Sequence, residues 1–380
     1  MKRIIRAASQ VGYQKVAKPI MFKRQPDAVH SDIVKAAKRM QKTPGVRRLP
    51  KLWAHKNHTM LQQTIAGVTF ANPIGLSAGF DKTIEMPVLM KNLGFGWMTG
   101  GSVTLGHYDG NEKPWYHRLP RSKSLVVNAG LPSEGTPVVV DRVSRYDTSL
   151  FKEFPLIISV AKTNSHDCAN DTAAIEDYCQ SLAAFSKLPQ VNMLEINISC
   201  PNTFGGEPFT TPKRLSALLA HVDALGLKKP IFIKMPIGLE VSEFDDLLRV
   251  MAHHSVAGVT IGNLMKDRAK ARLKDDISSE IKGNLSGAPN KEVATELVRH
   301  TYQKYGDRFI IIGVGGVFSA QDAYEKIKAG ASLVALITGM VFEGPQLIGE
   351  INYGLEKLIK QDGFDTIAEA IGSAHAKKSV

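Results

Sequence analysis

One of the most apolar stretches of this chain ends in a thiol flanked by two side-chain amides. Met193-Leu-Glu-Ile-Asn-Ile198 runs directly into Ser199-Cys-Pro-Asn202. Proline has no N–H to give to a ladder, so an extended segment must close there. Cys200 is left at its carboxyl end between Asn197 and Asn202, whose amides can hydrogen-bond a planar polar ligand. A thiol ionises at about pH 8.5, far nearer neutrality than a hydroxyl, so it can serve as a base with modest activation. An isolated Cys in such a place reads as a small buried hydrophobe. Here the other apolar runs end in matching groups, which favours a catalytic loop. Ala78-Gly-Phe-Asp-Lys82 follows the first run, Gly100-Gly-Ser-Val-Thr104 the second, and Ser159 and Lys162 the third. Lys234 sits within the fifth, and Thr260 and Asn263 close the sixth. A lysine inside an apolar run must find an anion or an acceptor, because an unpaired buried charge is costly.

These residues need a scaffold that gathers strand ends. Eight short runs alternate with longer helical or loop stretches: Pro73–Ala78, Gly96–Val103, Leu156–Ala161, Met193–Ile198, Ile231–Met235, Val256–Ile261, Phe309–Val314 and Leu333–Thr338. Each is almost continuously apolar, as strands covered on both faces are. The alternation predicts a (β/α)8 TIM barrel with its site at the carboxyl ends of the strands. The seventh run ends in Gly313-Val-Gly-Gly-Val317 and the eighth in Thr338-Gly339. Glycine-rich turns at those two places form the phosphate cradle of this fold, offering backbone N–H groups to a dianion. A phosphate-bearing cofactor across the mouth, with lysines for its electron-rich part, fits flavin mononucleotide. Lys234 would stabilise the reduced ring. No G-x-G-x-x-G follows a strand, so a Rossmann dinucleotide site is not indicated. Two long gaps, 104–155 and 262–308, should add loops to the catalytic face.

The 380 residues suffice for one such barrel, of about 250 residues, and an extension. The expected division is a basic helical extension over 1–45 and a barrel over 46–380. Residues 1–60 carry 15 Lys and Arg against 2 Asp and Glu, and the rest 33 against 34. The net charge of +12 therefore belongs to the leader. Such a segment favours an anionic surface, or is simply a solvated tail. Ile4, Ala8 and Val11 recur at helical spacing, as do Ile33, Ala37 and Met40 after a Ser31 cap, and Thr43-Pro-Gly45 breaks the pattern. A basic linker and a short hairpin should fill 46–71. No run reaches the ~20 apolar residues of a membrane span. The leader lacks the apolar core of a secretory signal but shares the composition of a mitochondrial presequence. The three cysteines form no C-x-x-C pair, so no metal or iron–sulfur site is expected, and the chain suits a reducing compartment such as the cytoplasm.

Over most of residues 15–355 the chain resembles dihydroorotate dehydrogenases. The segments that carry the likeness are Asn72-Pro-Ile-Gly-Leu-Ser-Ala-Gly-Phe-Asp-Lys82, Gly101-Ser-Val-Thr104, Asn197-Ile-Ser-Cys-Pro-Asn202, Leu285-Ser-Gly-Ala-Pro289, Gly313-Val-Gly-Gly316 and Phe342-Glu-Gly-Pro345. Each is weak alone; their order and spacing are specific. Lys18-Pro-Ile-Met-Phe and Pro26-Asp-Ala-Val-His30 look like the extension of the membrane-associated, quinone-using class. The resemblance implies FMN-dependent oxidation of dihydroorotate to orotate in pyrimidine biosynthesis. Cys200 would remove the C5 proton while hydride passes from C6 to flavin N5. Lys82, Asn128, Asn197, Asn202 and Thr260 would hold the substrate. Ala78, Gly79, Lys82, Ser102, Ser159, Asn197 and Lys234 would surround the flavin, and Gly287, Gly315, Gly316, Thr338 and Gly339 its phosphate. A quinone is the expected acceptor rather than fumarate, with peripheral contact to the inner membrane and no nucleic-acid partner.

The likeness has departures. The membrane class usually carries Ser at the Cys200 position and the soluble class Cys, so one class's extension is joined to the other's base. The loop Asn128-Ala-Gly-Leu-Pro-Ser133 is one residue shorter than its soluble-class counterpart. Val259 stands where the family usually has a substrate-binding Asn, so either Asn263 substitutes or the substrate differs. Two alternatives follow: a related flavin barrel acting on another pyrimidine, like the dihydropyrimidine dehydrogenase domain, and a non-catalytic phosphate-binding barrel with a basic arm.

Overall fold

The computed structural model describes residues 2–43, 45–55, 59–204 and 206–375. Its strands are β1 (Gln63–Ile65), β2 (Val68–Phe70), β3 (Ile74–Leu76), β4 (Trp97–Val103), β5 (Tyr116–Leu119), β6 (Ser124–Val127), β7 (Leu156–Val160), β8 (Met193–Asn197), β9 (Ile231–Met235), β10 (Gly258–Ile261), β11 (Asn284–Gly287), β12 (Ile310–Val314) and β13 (Leu333–Leu336). The order β3-β4-β7-β8-β9-β10-β12-β13 closes a barrel whose paired strands are all parallel. Each of the eight apolar runs supplies one barrel strand. Ile231–Met235 matches its expected span, and the others are one to three residues shorter.

The runs are apolar throughout because both faces are covered. Inward, Trp97, Ile157, Met193, Phe232, Ile312 and Leu333 fill the barrel, and Ile65 and Phe70 of the β1–β2 hairpin close its floor. Gly75 leaves the room that Trp97 takes: a Cβ there would lie 2.1 Å from the indole ring. Outward, Ile158, Leu194, Ile196, Ile233 and Val259 pack beneath the surrounding helices. Toward the mouth the inward side chains become polar. The register pairs Asn197 with Lys234 and Lys234 with Thr260, so these three face inward together.

The N-terminal extension is helical, as expected: α1 (Lys2–Gly12), a π-helical turn (Tyr13–Ala17), α2 (Lys18–Phe22) and α3 (Pro26–Lys42). Ser31 is not a cap. Helix α3 starts at Pro26, where a missing N–H costs nothing, and Ser31 lies inside it. Of the expected Thr43-Pro-Gly45 break, Pro44 lies outside the described residues. Within 46–71, of which 56–58 lie outside the described residues, the chain forms a 3-10 helix over Val46–Leu52 and the expected hairpin. The extension docks on the carboxyl end of the barrel through Tyr13 Oη to Val341 O, 2.6 Å, Gln41 Nε2 to Glu85 O, 2.5 Å, and an edge-to-face pair of Phe22 and Phe342. Asp27 in the first turn of α3 accepts the Trp115 N–H at 3.1 Å. The two long gaps are not simply loops: they supply β5, β6 and β11, a three-stranded antiparallel sheet beside the mouth.

Candidate active site

The loop bearing the thiol is shaped by one amide. Asn197, the last residue of β8, donates from Nδ2 to Ser102 Oγ at 2.8 Å, and Ser102 Oγ bonds Ser159 Oγ at 2.9 Å. Its Oδ1 accepts the N–H and hydroxyl of Ser199, both at 3.1 Å, turning the chain sharply after the strand. Asn202 Nδ2 donates to Val127 O at 2.9 Å, while Asn284 donates to its Oδ1 at 2.7 Å. Cys200 is thereby held over the mouth and keeps partial access to solvent. Dense protein around the sulfur pushes the thiol up to about 11; the Asn202 N–H and the nearby ammonium groups of Lys234 and Lys162 act the other way, and Glu207 adds to the rise.

Two adjoining cavities occupy the mouth. One, of about 170 Å3, is lined by Ala78, Gly79, Lys82, Ser102, Asn197, Cys200, Asn202, Lys234 and Thr338, together with Tyr116, Leu131, Asn263 and Ser286. The other, of about 100 Å3, is lined by Gly287, Gly315, Gly316, Thr338 and Gly339, and shares Ala78, Lys234, Asn263 and Ser286 with the first. Gly315 and Gly316 have φ of 102° and 69°, and a Cβ at Gly316 or Gly339 would lie 2.5 Å or less from neighbouring backbone, so only glycine permits this cradle. Lys82 Nζ donates to Tyr116 Oη at 2.7 Å and lies over the Trp115 and Tyr116 rings. The adjacent Asp81 is fully buried; it accepts the Glu85 and Met86 N–H groups at 2.8 and 2.7 Å, and burial pushes its carboxyl up to about 6.

Most of the expected residues are thus gathered, but three stand back. Ser159 lies behind Ser102. Asn128 contacts Asn111, whose Nδ2 donates both to Asn128 Oδ1 and to Asn202 O. Thr260 faces the barrel interior, 3% exposed, below the cavity lining. Val259 has its side chain in the helix-facing core, away from the mouth, whereas Asn263 lines both cavities and donates to Ser199 O. Tyr116, Asn111, Asn284, Ser286 and Asn290 escaped the sequence reading, because the sheet that presents most of them forms between segments about 160 residues apart.

The donor set fits a phosphate-bearing planar cofactor. A glycine cradle, whose backbone N–H groups can serve an anion, lines one cavity, and the Lys234 ammonium has no hydrogen-bond partner among the described residues. Thr260 Oγ1 and Asn290 Oδ1 are buried and unpartnered, as expected of groups that complete their bonding with a ligand or water. No group of three or more His, Cys, Asp or Glu among the described residues is arranged for a metal ion.

Fold and mouth together define a (β/α)8 barrel with a ligand-sized opening at the carboxyl ends of its strands. Residues 60–359 match the dihydroorotate dehydrogenase family. The chain is 33% identical over 358 residues to the dihydroorotate dehydrogenase (quinone) of Novosphingobium aromaticivorans, covering 94% of this chain and 98% of that one. It is 32% identical over 362 residues to the protein of the same name from Haloarcula marismortui, with the same coverage. A crystal structure of DHODH from Eimeria tenella in complex with ferulenol superposes with a TM-score of 0.81 at 25% identity, over 92% of this chain and 96% of that one. The chain belongs to the dihydroorotate dehydrogenase family, flavin-dependent oxidoreductases of pyrimidine biosynthesis.

His30 of α3 lies between a groove rich in charged residues and the apolar cavity beneath that helix, and packs edge-on against Phe80 and Tyr116. Burial first, and the Lys82 charge second, push its imidazole down to about 4. A lowered folded pKa means that the unfolded chain binds the proton first, so stability falls as pH drops from about 6.5 toward 4. Urea titrations should show wild type losing up to about 3 kcal/mol more over that window than H30Q. Parallel losses in both proteins would contradict a neutral, buried His30.

Proposed function

We propose that this protein binds FMN across the barrel mouth and oxidises dihydroorotate to orotate, with Cys200 as base. The observation that carries the proposal is that the thiol and the glycine cradle open onto one continuous pair of cavities. Gly287, Gly315, Gly316, Thr338 and Gly339 would hold the phosphate. Ala78, Gly79, Ser102, Ser159, Asn197 and Lys234 would surround the ring. When bound, the flavin supplies the acceptor for the hydride leaving C6. Lys82, Asn197 and Asn202 would hold the substrate's amide and carboxylate edges at the cavity, Asn128 would act through Asn111, and the unpartnered Thr260 hydroxyl would complete its bonding from the barrel interior. Asn263 stands at the mouth where an amide is wanted beyond the sixth barrel strand, which favours dihydroorotate over another pyrimidine. Cys200 Sγ takes the C5 proton, and the Lys234 and Lys162 ammonium groups oppose the burial that disfavours its thiolate.

A quinone is the proposed oxidant. A third cavity, about 100 Å3 and mostly apolar, runs beneath α3 between Pro26, Val29, Ile33, Phe80 and Val341. It shares Gly79, Tyr116, Leu125 and Ile337 with the thiol cavity, so an apolar acceptor seated there would adjoin the mouth. The extension also offers a membrane-facing surface. Ile4, Val11, Val16 and Ile20 are 59–74% exposed. The π-helical turn adds the residue that keeps them along one side of the helical run, among Lys2, Arg3, Lys15, Lys23 and Arg24. No helix among the described residues is long and apolar enough to cross a membrane. The proposed location is the cytoplasm, peripheral on the inner membrane.

C200A should retain flavin and lose substrate-driven bleaching by at least about a hundredfold. In wild type the single-turnover rate should climb about tenfold per pH unit from 6 to 9, because a thiol at about 11 has a thiolate share rising at that slope. Robust bleaching by C200A, or a flat profile, would remove the base assignment.

Wild type should pellet with anionic liposomes in low salt, and a variant carrying Glu at Ile4, Val11 and Ile20 should stay in the supernatant. Equal pelleting of the two would discard the membrane-facing surface.

A further inference from the structure

The midpoint of the thiol loop is tied to the barrel by side chains. Lys162 Nζ donates to the Phe204 carbonyl oxygen at 2.9 Å, and the Phe204 N–H donates to Asn164 Oδ1 at 2.6 Å. Both partners lie just beyond β7 and are buried, at 4% and 6% exposure. The Phe204 ring is 45% exposed and rests on His166, so ring burial alone does not hold the loop. Asn164 also donates from Nδ2 to Gly130 O at 2.9 Å, and Gly130 lines the opposite wall of the thiol cavity. Lys162 and Asn164 between them thus reach both walls.

Lys162 makes no ion pair within 4.0 Å among the described residues, although it is a buried cation; its polar surroundings are the Phe204 carbonyl and the groups of Cys168, Asp177 and Cys200. Asp177 is already engaged by the Thr163 N–H at 3.1 Å and by Cys168 Sγ at 3.5 Å. A buried ammonium is costly unless it is hydrogen-bonded, and its charge favours the anionic form of an acid nearby. The groups that face Cys200 are the cations Lys234 and Lys162, the anion Glu207, itself paired with Lys266, and the Asn202 N–H.

We propose that Lys162 is a positioning residue for Cys200, acting through the Phe204 carbonyl and through its charge, and that Asn164 ties the thiol loop to the opposite wall of the mouth. The inference rests on Cys200 being the base. Lys162 fixes where the loop carries the sulfur and makes the thiolate easier to form. Asn164 contributes no charge and acts on geometry alone.

The test is iodoacetamide alkylation of the flavin-loaded enzyme from pH 7 to 9.5, followed by mass spectrometry of the Cys200 peptide. K162M should slow alkylation roughly three- to tenfold at each pH, the effect of half to one pKa unit, and K162R should restore most of it. K162Q keeps a donor for the Phe204 carbonyl but no charge, and carries the same expectation as K162M should that variant not fold. N164A should alkylate like wild type yet bleach at least threefold more slowly in single turnover. Superimposed alkylation profiles for wild type and the neutral variants would overturn the role of Lys162, and wild-type bleaching by N164A would overturn that of Asn164. Because alkylation reads the thiol without substrate, these results are separable from the base assignment, which fails only if C200A remains active.

Discussion

Everything at the mouth hangs on the amide of Asn197. It spans from β8 to Ser102 on β4 and, through that hydroxyl, to Ser159 on β7, so three neighbouring strand ends share one buried network. Its oxygen then takes both polar hydrogens of Ser199, which sends the chain over the barrel rather than past it. Such a network is stabilising only when every member is satisfied, and here each hydroxyl and amide has a partner. The thiol is placed by this turn, by the proline after it, and by Asn202, anchored on the antiparallel sheet beside the mouth.

The barrel supplies two kinds of surroundings along one axis. Trp97, Phe232 and Ile312 make the lower interior dry and close-packed. Above them, Lys234 and Thr260 face inward with bonding capacity unspent. The glycine cradle lies beyond, where β12 and β13 end, and shares lining residues with the cavity of the thiol. A large polar ligand entering from the mouth therefore meets donors at one end and an ionisable thiol at the other. The extension adds a third side, placing apolar residues of α3 against the same opening.

Much of this was legible in the residues. Strands buried on both faces announce themselves as short apolar runs, and the groups at their ends are chemically distinctive enough to locate Cys200, Lys82, Lys234 and the glycine turns. What escaped was non-local or orientational. Ser31 looked like a cap, but Pro26 fits a first helical turn better, and the helix starts six residues sooner, with Gln25 in the cap position. The pairing of Leu285 with Val126 joins segments far apart in sequence, and no periodicity foretells it. Val259 seemed to vacate a substrate contact. Strand alternation instead turns it toward the helices and leaves Asn263 at the mouth. The part played by Lys162 depends on a carbonyl forty-two residues away, which spacing alone cannot reveal.

Anaerobic titration of the purified protein with dihydroorotate, followed in the visible spectrum, tests the central claim most directly. The account predicts a flavin band that bleaches fully near one equivalent of substrate, with orotate formed in matching amount. A bound flavin that stays oxidised under excess dihydroorotate would contradict it.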